Sequence, residues 1–271
     1  MVYEVKQTAT ASALFQGWEE TMILSCLQGI MGRLYSTEPL YSAEPIYSTE
    51  PIYSAESPAS AMAVLGDFTF FAGRVSRELI SFKPKDCTQD FMIMVGQNEE
   101  WNHAIAEHYG AKAAVVSRYA FKKKPDAFDR QKLEHAASSL PDCLEADLID
   151  EQLFHLCKAN GWSTDLVSQF KDYEEYRRLG LGVVIHKGPE IFCGASSYSR
   201  YRDGIEIEID TREDHRRQGL AYACGARLIL ECLKRKLYPS WDAQNPWSAA
   251  LACKLGYHYS HTYQAVEIHG Y

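Results

Sequence analysis

The chain has 271 residues, 46% of them hydrophobic and 24% charged, with a formal net charge of −8 at pH 7. That composition fits a globular protein of one large domain or two ordinary ones. It excludes nucleic acid as the main partner, because a phosphate backbone calls for a basic surface. No apolar run approaches the ~18 residues of a membrane span, so no membrane partner is expected. The eight cysteines form no CxxC pair and no zinc spacing. With no signal peptide at the N-terminus, they read as reduced thiols of a cytoplasmic protein. His258 and His261 are three residues apart in a stretch that reads as a strand, where they face opposite ways, so no metal ligand is assigned.

In chain order, residues 10–33 show apolar Leu14, Trp18, Met22 and Cys26 at i, i+4 spacing, which predicts a helix. Residues 35–58 follow as near-copies of a Tyr-Ser-Thr/Ala-Glu-Pro hexad. Pro39, Pro45 and Pro51 forbid a helix there. The stretch holds no His, Cys, Lys or Arg, so it cannot supply a nucleophile and base by itself. It reads either as a hexad expansion in a tolerant surface loop or as a tyrosine-studded arm that packs on a partner, such as the second subunit of a homodimer. Residues 61–73 then predict a strand or hairpin, 91–96 a buried strand, 99–110 a helix closed by glycine, 112–121 a strand and 126–139 a helix halted by Pro141. Residues 1–142 are therefore expected to form an N-terminal α/β domain. Nothing in it looks catalytic.

Residues 143–271 predict a second unit in the order β-α-α-β-β-β-α-β-α-β. The strands fall at 144–150, 181–188, 191–201, 204–211, 238–243 and 257–268. The helices fall at 151–161, 164–180, 217–237 and 245–256. Within it, residues 204–211 alternate strictly, with Ile205, Ile207 and Ile209 on one face and Glu206, Glu208 and Asp210 on the other. A polar loop follows, then Arg216-Arg217-Gln218-Gly219-Leu220-Ala221 opens a helix. A helix start offers free N–H groups and the positive end of a dipole, and a glycine lets a bulky anion come close. The stretch is thus built as a cradle for a pyrophosphate.

Arg216-x-x-Gly219-x-Ala221 after an alternating strand, then Asn245 and a helix ending Lys254-Leu255-Gly256-Tyr257, resembles the GNAT superfamily of acetyl-CoA-dependent N-acetyltransferases. The element order from 144 to 268 is that superfamily's order. GIEIEIDT, RRQGLA, YPSWDAQN and LACKLGY, with GWEETMILSCLQG and LGDFTFFAG upstream, carry a closer resemblance over nearly the whole chain apart from the hexad repeat, to the branch that includes the zwittermicin A resistance acetyltransferase. It implies an α/β fold with a mixed sheet, acetyl-CoA as co-substrate and a small-molecule amine as acceptor. The αββαβ run of the N-terminal half reads either as a degenerate copy of the same fold or as a lid over the substrate cleft.

Carried over position by position, the resemblance puts the pyrophosphate on Arg216, Arg217, Gln218, Gly219, Leu220 and Ala221. The pantetheine lies along Ile209, Asp210 and Thr211, with Asn245 and Ser248 also at the cofactor. Relatives that use a carboxylate base often draw it from the alternating strand, which points to Glu208 or Glu206. Many relatives carry a tyrosine as general acid where this chain has Ala252, leaving Tyr257, Tyr259, Cys253 or water for that task. The missing tyrosine supports a second reading, a CoA-binding or regulatory module with little turnover.

Overall fold

The structure, a computed structural model, describes residues 1–39 and 60–271. The chain divides into two compact units, one of residues 1–116 with 264–271 and one of residues 117–263.

In the first unit, β1 (Tyr3–Glu4), β2 (Arg33–Ser36), β3 (Ala61–Leu65), β4 (Phe68–Ala72) and β5 (Phe91–Gly96) lie side by side in that order. Pairing is antiparallel from β1 to β4 and parallel between β4 and β5. The last residues of the chain's final strand then add to β5, Val266 opposite Met94 and His269 opposite Phe91. Helices α1 (Thr21–Leu27), α2 (Arg77–Ile80) and α3 (Glu99–Tyr109) belong to this unit. Its core gathers Tyr35, Met62, Phe71, Leu79, Met92, Met94, Trp101 and Ile105.

Two expectations change here. The helix expected over 10–33 is confined to α1, with a 3-10 turn at Thr8–Ala11 before it. Gly17 takes the left-handed conformation (φ +88°) and Glu20 is extended, so the apolar spacing runs across backbone that cannot be one continuous helix. The hexad stretch does not begin as a loop either: Tyr35 and Ser36 are buried strand residues of β2, Ser36 opposite Ala61. The pairing continues one step, with the Thr37 amide on the Ser60 carbonyl at 3.0 Å. The rest of the repeat from residue 40 lies outside the described residues.

In the second unit the chain runs from the end of β6 (Ala113–Lys122) through α4 (Arg130–Ala137), β7 (Glu145–Leu148), α5 (Glu151–Ala159) and α6 (Tyr173–Leu179). It continues through β8 (Gly182–Lys187), β9 (Glu190–Tyr201), β10 (Gly204–Thr211) and α7 (Leu220–Lys234). It closes with β11 (Tyr238–Ser240), β12 (Asp242–Ala243), α8 (Pro246–Leu255) and the start of β13 (His258–His269). The sheet order is β11-β10-β9-β8-β7, antiparallel from β7 to β10 and parallel between β10 and β11. The first unit therefore repeats the second unit's strand order and pairing, four antiparallel strands and then one parallel strand.

Helix α7 supplies the second unit's core, with Leu220, Cys224, Leu228, Ile229 and Cys232 packed on Ile205, Ile207, Val183 and Ile185 of the sheet. Each fully buried aliphatic side chain of this kind contributes roughly 1.5–3 kcal/mol. Leu133 and Ala136 of α4 join the same core, so residues 117–142 sit with this unit rather than with the residues before them. The helix expected over 164–180 shrinks to a 3-10 turn at Thr164–Leu166 and α6. Asp172 begins α6 by accepting the Glu175 amide at 2.9 Å, while the Glu175 carboxylate accepts the Lys171 amide at 2.8 Å. An Asp-x-x-Glu box of this kind starts a helix rather than continuing one.

The strand expected over 238–243 splits at Trp241. Residues 238–240 pair with Gly204, Ile205 and Glu206 of β10, whereas Asp242 and Ala243 pair with Ala120 and Tyr119 of β6. The Trp241 indole is buried between them and donates to the Ser248 hydroxyl at 3.1 Å. Asp242 is held just past the split: Arg118 donates to its Oδ1 at 2.6 Å and the Tyr263 hydroxyl to its Oδ2 at 2.7 Å. Arg118 and Asp242 are both largely buried. Removing one partner of a buried pair strands the other charge, so Asp242→Ala is expected to cost about 3 kcal/mol. Urea denaturation checks this, and a loss near zero would show that the pair is not needed to hold the split.

Candidate functional site

Because β11 covers only Gly204 to Glu206, the remaining edge of β10 runs on without it. A cleft of about 1030 Å³ opens there, lined by the end of β10, the start of α7 and one face of α8. Its walls include Ile209, Asp210, Thr211, Arg216, Arg217, Gly219, Leu220, Ala221, Asn245 and Ser248. Of the residues named from the sequence for the co-substrate, only Gln218 is not on this wall. Its amide side chain instead donates to the Asp214 carbonyl at 3.3 Å.

The loop into α7 is shaped by two left-handed residues, Arg217 (φ +63°) and Gly219 (φ +85°). For arginine this conformation costs on the order of 1–2 kcal/mol. Such strain is kept where the surrounding structure requires that particular path. Gly219 is the N-cap of α7 and has no side chain with which to cap. The helical ladder begins with the Tyr222 and Ala223 amides on the Gly219 carbonyl, both at 3.1 Å. The Leu220 and Ala221 N–H groups precede that ladder, and helix geometry gives them no intrahelical acceptor. A Cβ built on Gly219 meets nothing within 4 Å, so this approach to the helix end is open space.

Arg216 is steered by the strand it follows: its Nε donates to the Thr211 carbonyl at 3.2 Å and its Nη2 lies 3.8 Å from Asp210. Burial pushes the Asp210 carboxyl above its ordinary pKa, while the Thr211 amide and Arg216 pull in the other direction. His215, also on the cleft wall, is tied to its neighbours. Its Nδ1 lies 2.8 Å from Asp214, and its ring packs on Phe192 at 4.6 Å between centroids.

Across the cleft, Asn245 caps α8 by accepting the Ser248 amide at 2.9 Å. Ser248 in turn holds Trp241 through its hydroxyl. The two residues named for the co-substrate thus also fix the helix that forms the wall. Sequence reasoning missed Tyr222, Gln244, Trp247, Leu251 and Lys254 on the same wall. Helical spacing from Asn245 and Ser248 points to Leu251 and Lys254. Trp247 is 82% exposed, a large apolar surface left at the cleft rim.

Glu206 and Glu208 are not on the cleft wall. A bulge at Tyr198 of β9 falls between the pairs Glu206–Ser199 and Ile207–Ser197, so the extra residue is in β9 and the alternation of β10 is unbroken. Both carboxylates therefore share the face of Asp210, with Glu208 one alternation behind it and Glu206 two. Glu206 is buried, while Glu208 is partly exposed.

Ala252 is fully buried in the core. Tyr257 is buried too, and its hydroxyl donates to the Pro239 carbonyl at 2.7 Å. Burial pushes that phenol well above its ordinary pKa. Tyr259 is exposed and bonded to Thr262 at 2.8 Å, and Cys253 is exposed. Among the described residues, no helix is long and apolar enough to cross a membrane.

This geometry has known counterparts. A family model described as GNAT acetyltransferase matches residues 12–266. The uncharacterized N-acetyltransferase YdfB of Bacillus subtilis (strain 168) is 29% identical over 166 residues, which is 60% of this chain. The chain spans 61% of the length of that curated relative. A solved GCN5-related N-acetyltransferase-like protein from Streptococcus suis 89/1591 is 42% identical, with a TM-score of 0.82 over 97% of this chain and 98% of that one. A tandem GNAT protein from the clavulanic acid biosynthesis pathway, 7% identical, shares the fold with a TM-score of 0.52 over 100% of this chain and 99% of that one. Because the family match runs from residue 12 to residue 266 and takes in both units, the chain belongs to the GNAT acetyltransferase family.

Proposed function

We propose that the protein transfers an acetyl group from acetyl-CoA to the amine of a small molecule, both being held together in the second unit. The observation that carries this reading is the open start of α7 beside the uncovered edge of β10, joined in one cleft. The residues fit the co-substrate by their chemistry. Arg216, Arg217 and the amides from Gly219 to Ala221 form a cationic, donor-rich end suited to a pyrophosphate. The edge of β10 from Ile209 to Thr211 offers backbone groups to an extended amide chain, as a further strand would. Asn245 and Ser248 flank that path on α8. Bound acetyl-CoA would supply an activated thioester acyl group. Holding both reactants in one cleft lowers the entropic part of the barrier.

An amine attacks only when neutral, so a base is needed. Glu208 takes that role: it is partly exposed, and it stands one alternation from the cleft wall at Asp210. Glu206, deeper on the same face, is the alternative base. The resemblance to the zwittermicin A resistance branch supports a small polar amine as acceptor, antibiotics included. A second reading keeps co-substrate binding without useful turnover, and buried Ala252 at the usual tyrosine position favours it.

Gly219→Glu places bulk and negative charge into the open approach to α7. It is expected to abolish the thermal shift given by acetyl-CoA, and, because Gly219 is left-handed, to lower the ligand-free melting temperature by only a few degrees. An unchanged shift would refute the loop assignment. Glu208→Gln is expected to lower kcat for an accepted amine by about 100-fold and to leave acetyl-CoA affinity intact. Turnover at the wild-type rate would move the base elsewhere. Acetyl-CoA binding with no thiol release across a panel of amines would favour the second reading.

A further inference from the structure

We infer that Glu145, Asp147 and His186 form a binding site for one divalent transition-metal ion of the zinc class. The site lies at the β7 end of the second unit's sheet, and none of its residues is on the cleft wall. It arises from strand pairing. In the antiparallel register Glu145 lies directly opposite His186, and Asp147, two residues on, shares the face of Glu145. One ligand-capable atom from each residue falls within 4.8 Å of the other two.

The histidine makes this more than an acidic cluster. His186 is only 8% exposed, and its ring is fixed by a bond that lies outside the cluster, Nδ1 to the Gly188 carbonyl at 2.9 Å. A carbonyl oxygen only accepts, so the proton is on Nδ1. In the neutral ring the Nε2 lone pair then points at Asp147 Oδ2, 3.1 Å away, which is itself an acceptor. Two lone pairs at that distance repel unless a proton or a metal ion is shared between them, and the nearby Glu145 carboxylate offers a metal ion a third ligand. Histidines that bind metals are oriented in this manner, with the second ring nitrogen donating to a carbonyl. One imidazole nitrogen with two carboxylates suits zinc, whereas magnesium and calcium take oxygen ligands alone. Glu145 and Asp147 are both exposed, so an ion can enter and keep water in its remaining positions.

The alternative cation is a proton, which would make the group an imidazolium–carboxylate pair. Titration of the full chain with zinc chloride in a calorimeter separates the two. Cys143 and Cys253 are exposed thiols that would compete for zinc, so the titration uses a Cys143→Ser/Cys253→Ser background. The expected result is one equivalent of bound zinc, weakened at least about tenfold in Glu145→Gln and in Asp147→Asn, and lost in His186→Asn. The two carboxylate variants alter exposed side chains at a sheet edge and keep the test valid if His186→Asn does not fold. Absence of saturable binding, or affinity unchanged in both carboxylate variants, would overturn the site and leave the proton-bridged pair. Equal binding of magnesium or calcium would overturn the assigned metal class.

Discussion

The site depends on one event in the chain, the parting of β11 and β12 at Trp241. Up to Ser240 the backbone is paired to β10, and from Asp242 it is paired to β6. A strand cannot continue along β10 once its next residues are committed to another partner. The edge of β10 beyond Glu206 is left uncovered for that reason, and the cleft opens along it. The parting is secured on both sides. Trp241 is buried and bonded to Ser248, and Asp242 is held by Arg118 and Tyr263. Asn245 then starts α8, which brings the opposite wall back over the gap.

The two units follow one strand plan and differ at the point where chemistry is expected. After the fourth strand of the second unit comes a 15-residue helix opened by Gly219, with no side-chain cap. After the fourth strand of the first comes α2, only four residues long, whose cap Ser76 accepts the Leu79 amide. One unit leaves its helix start available to an anion, and the other closes it with its own hydroxyl. A four-residue helix also has almost no aligned dipole to offer. The physical reading of a degenerate half is therefore local, since the sheet persists while the donor-rich helix end is gone.

What could be read from the sequence follows the range of the forces involved. The strands at 91–96 and 204–211 and the helix closed by Gly110 carry their signals locally, in alternation and in caps, and they stand where expected. The helices expected over 10–33 and 164–180 were overextended because apolar periodicity says nothing of Gly17 or of the Asp172 cap within it. The parting at Trp241 could not be read, because the partner of Asp242 on β6 is more than a hundred residues away in sequence. The same holds for the Glu145–Asp147–His186 group, where no spacing links residues that meet only across paired strands. The Arg-x-x-Gly-x-Ala loop was legible because one short segment holds the glycine, the arginines and the helix start together.

Proton handling in the proposed reaction is lopsided. The position that many relatives fill with an acidic tyrosine holds Ala252, sealed in the core with no room to reach the cleft. Tyr257 does not replace it: its hydroxyl proton is committed to the Pro239 carbonyl, and burial raises its pKa further. Tyr222 is on the cleft wall, but the Lys254 ammonium lies over its ring at 4.0 Å from the centroid, a contact with the ring face rather than with the hydroxyl. A thiol has a pKa of about 8.5, so a thiolate is a tolerable leaving group near neutral pH without an acid at hand. An alkylammonium near 10 does not lose its proton so readily. The demand on the protein then falls on the amine side, and it is there that three carboxylates, Glu206, Glu208 and Asp210, share one face of a single strand.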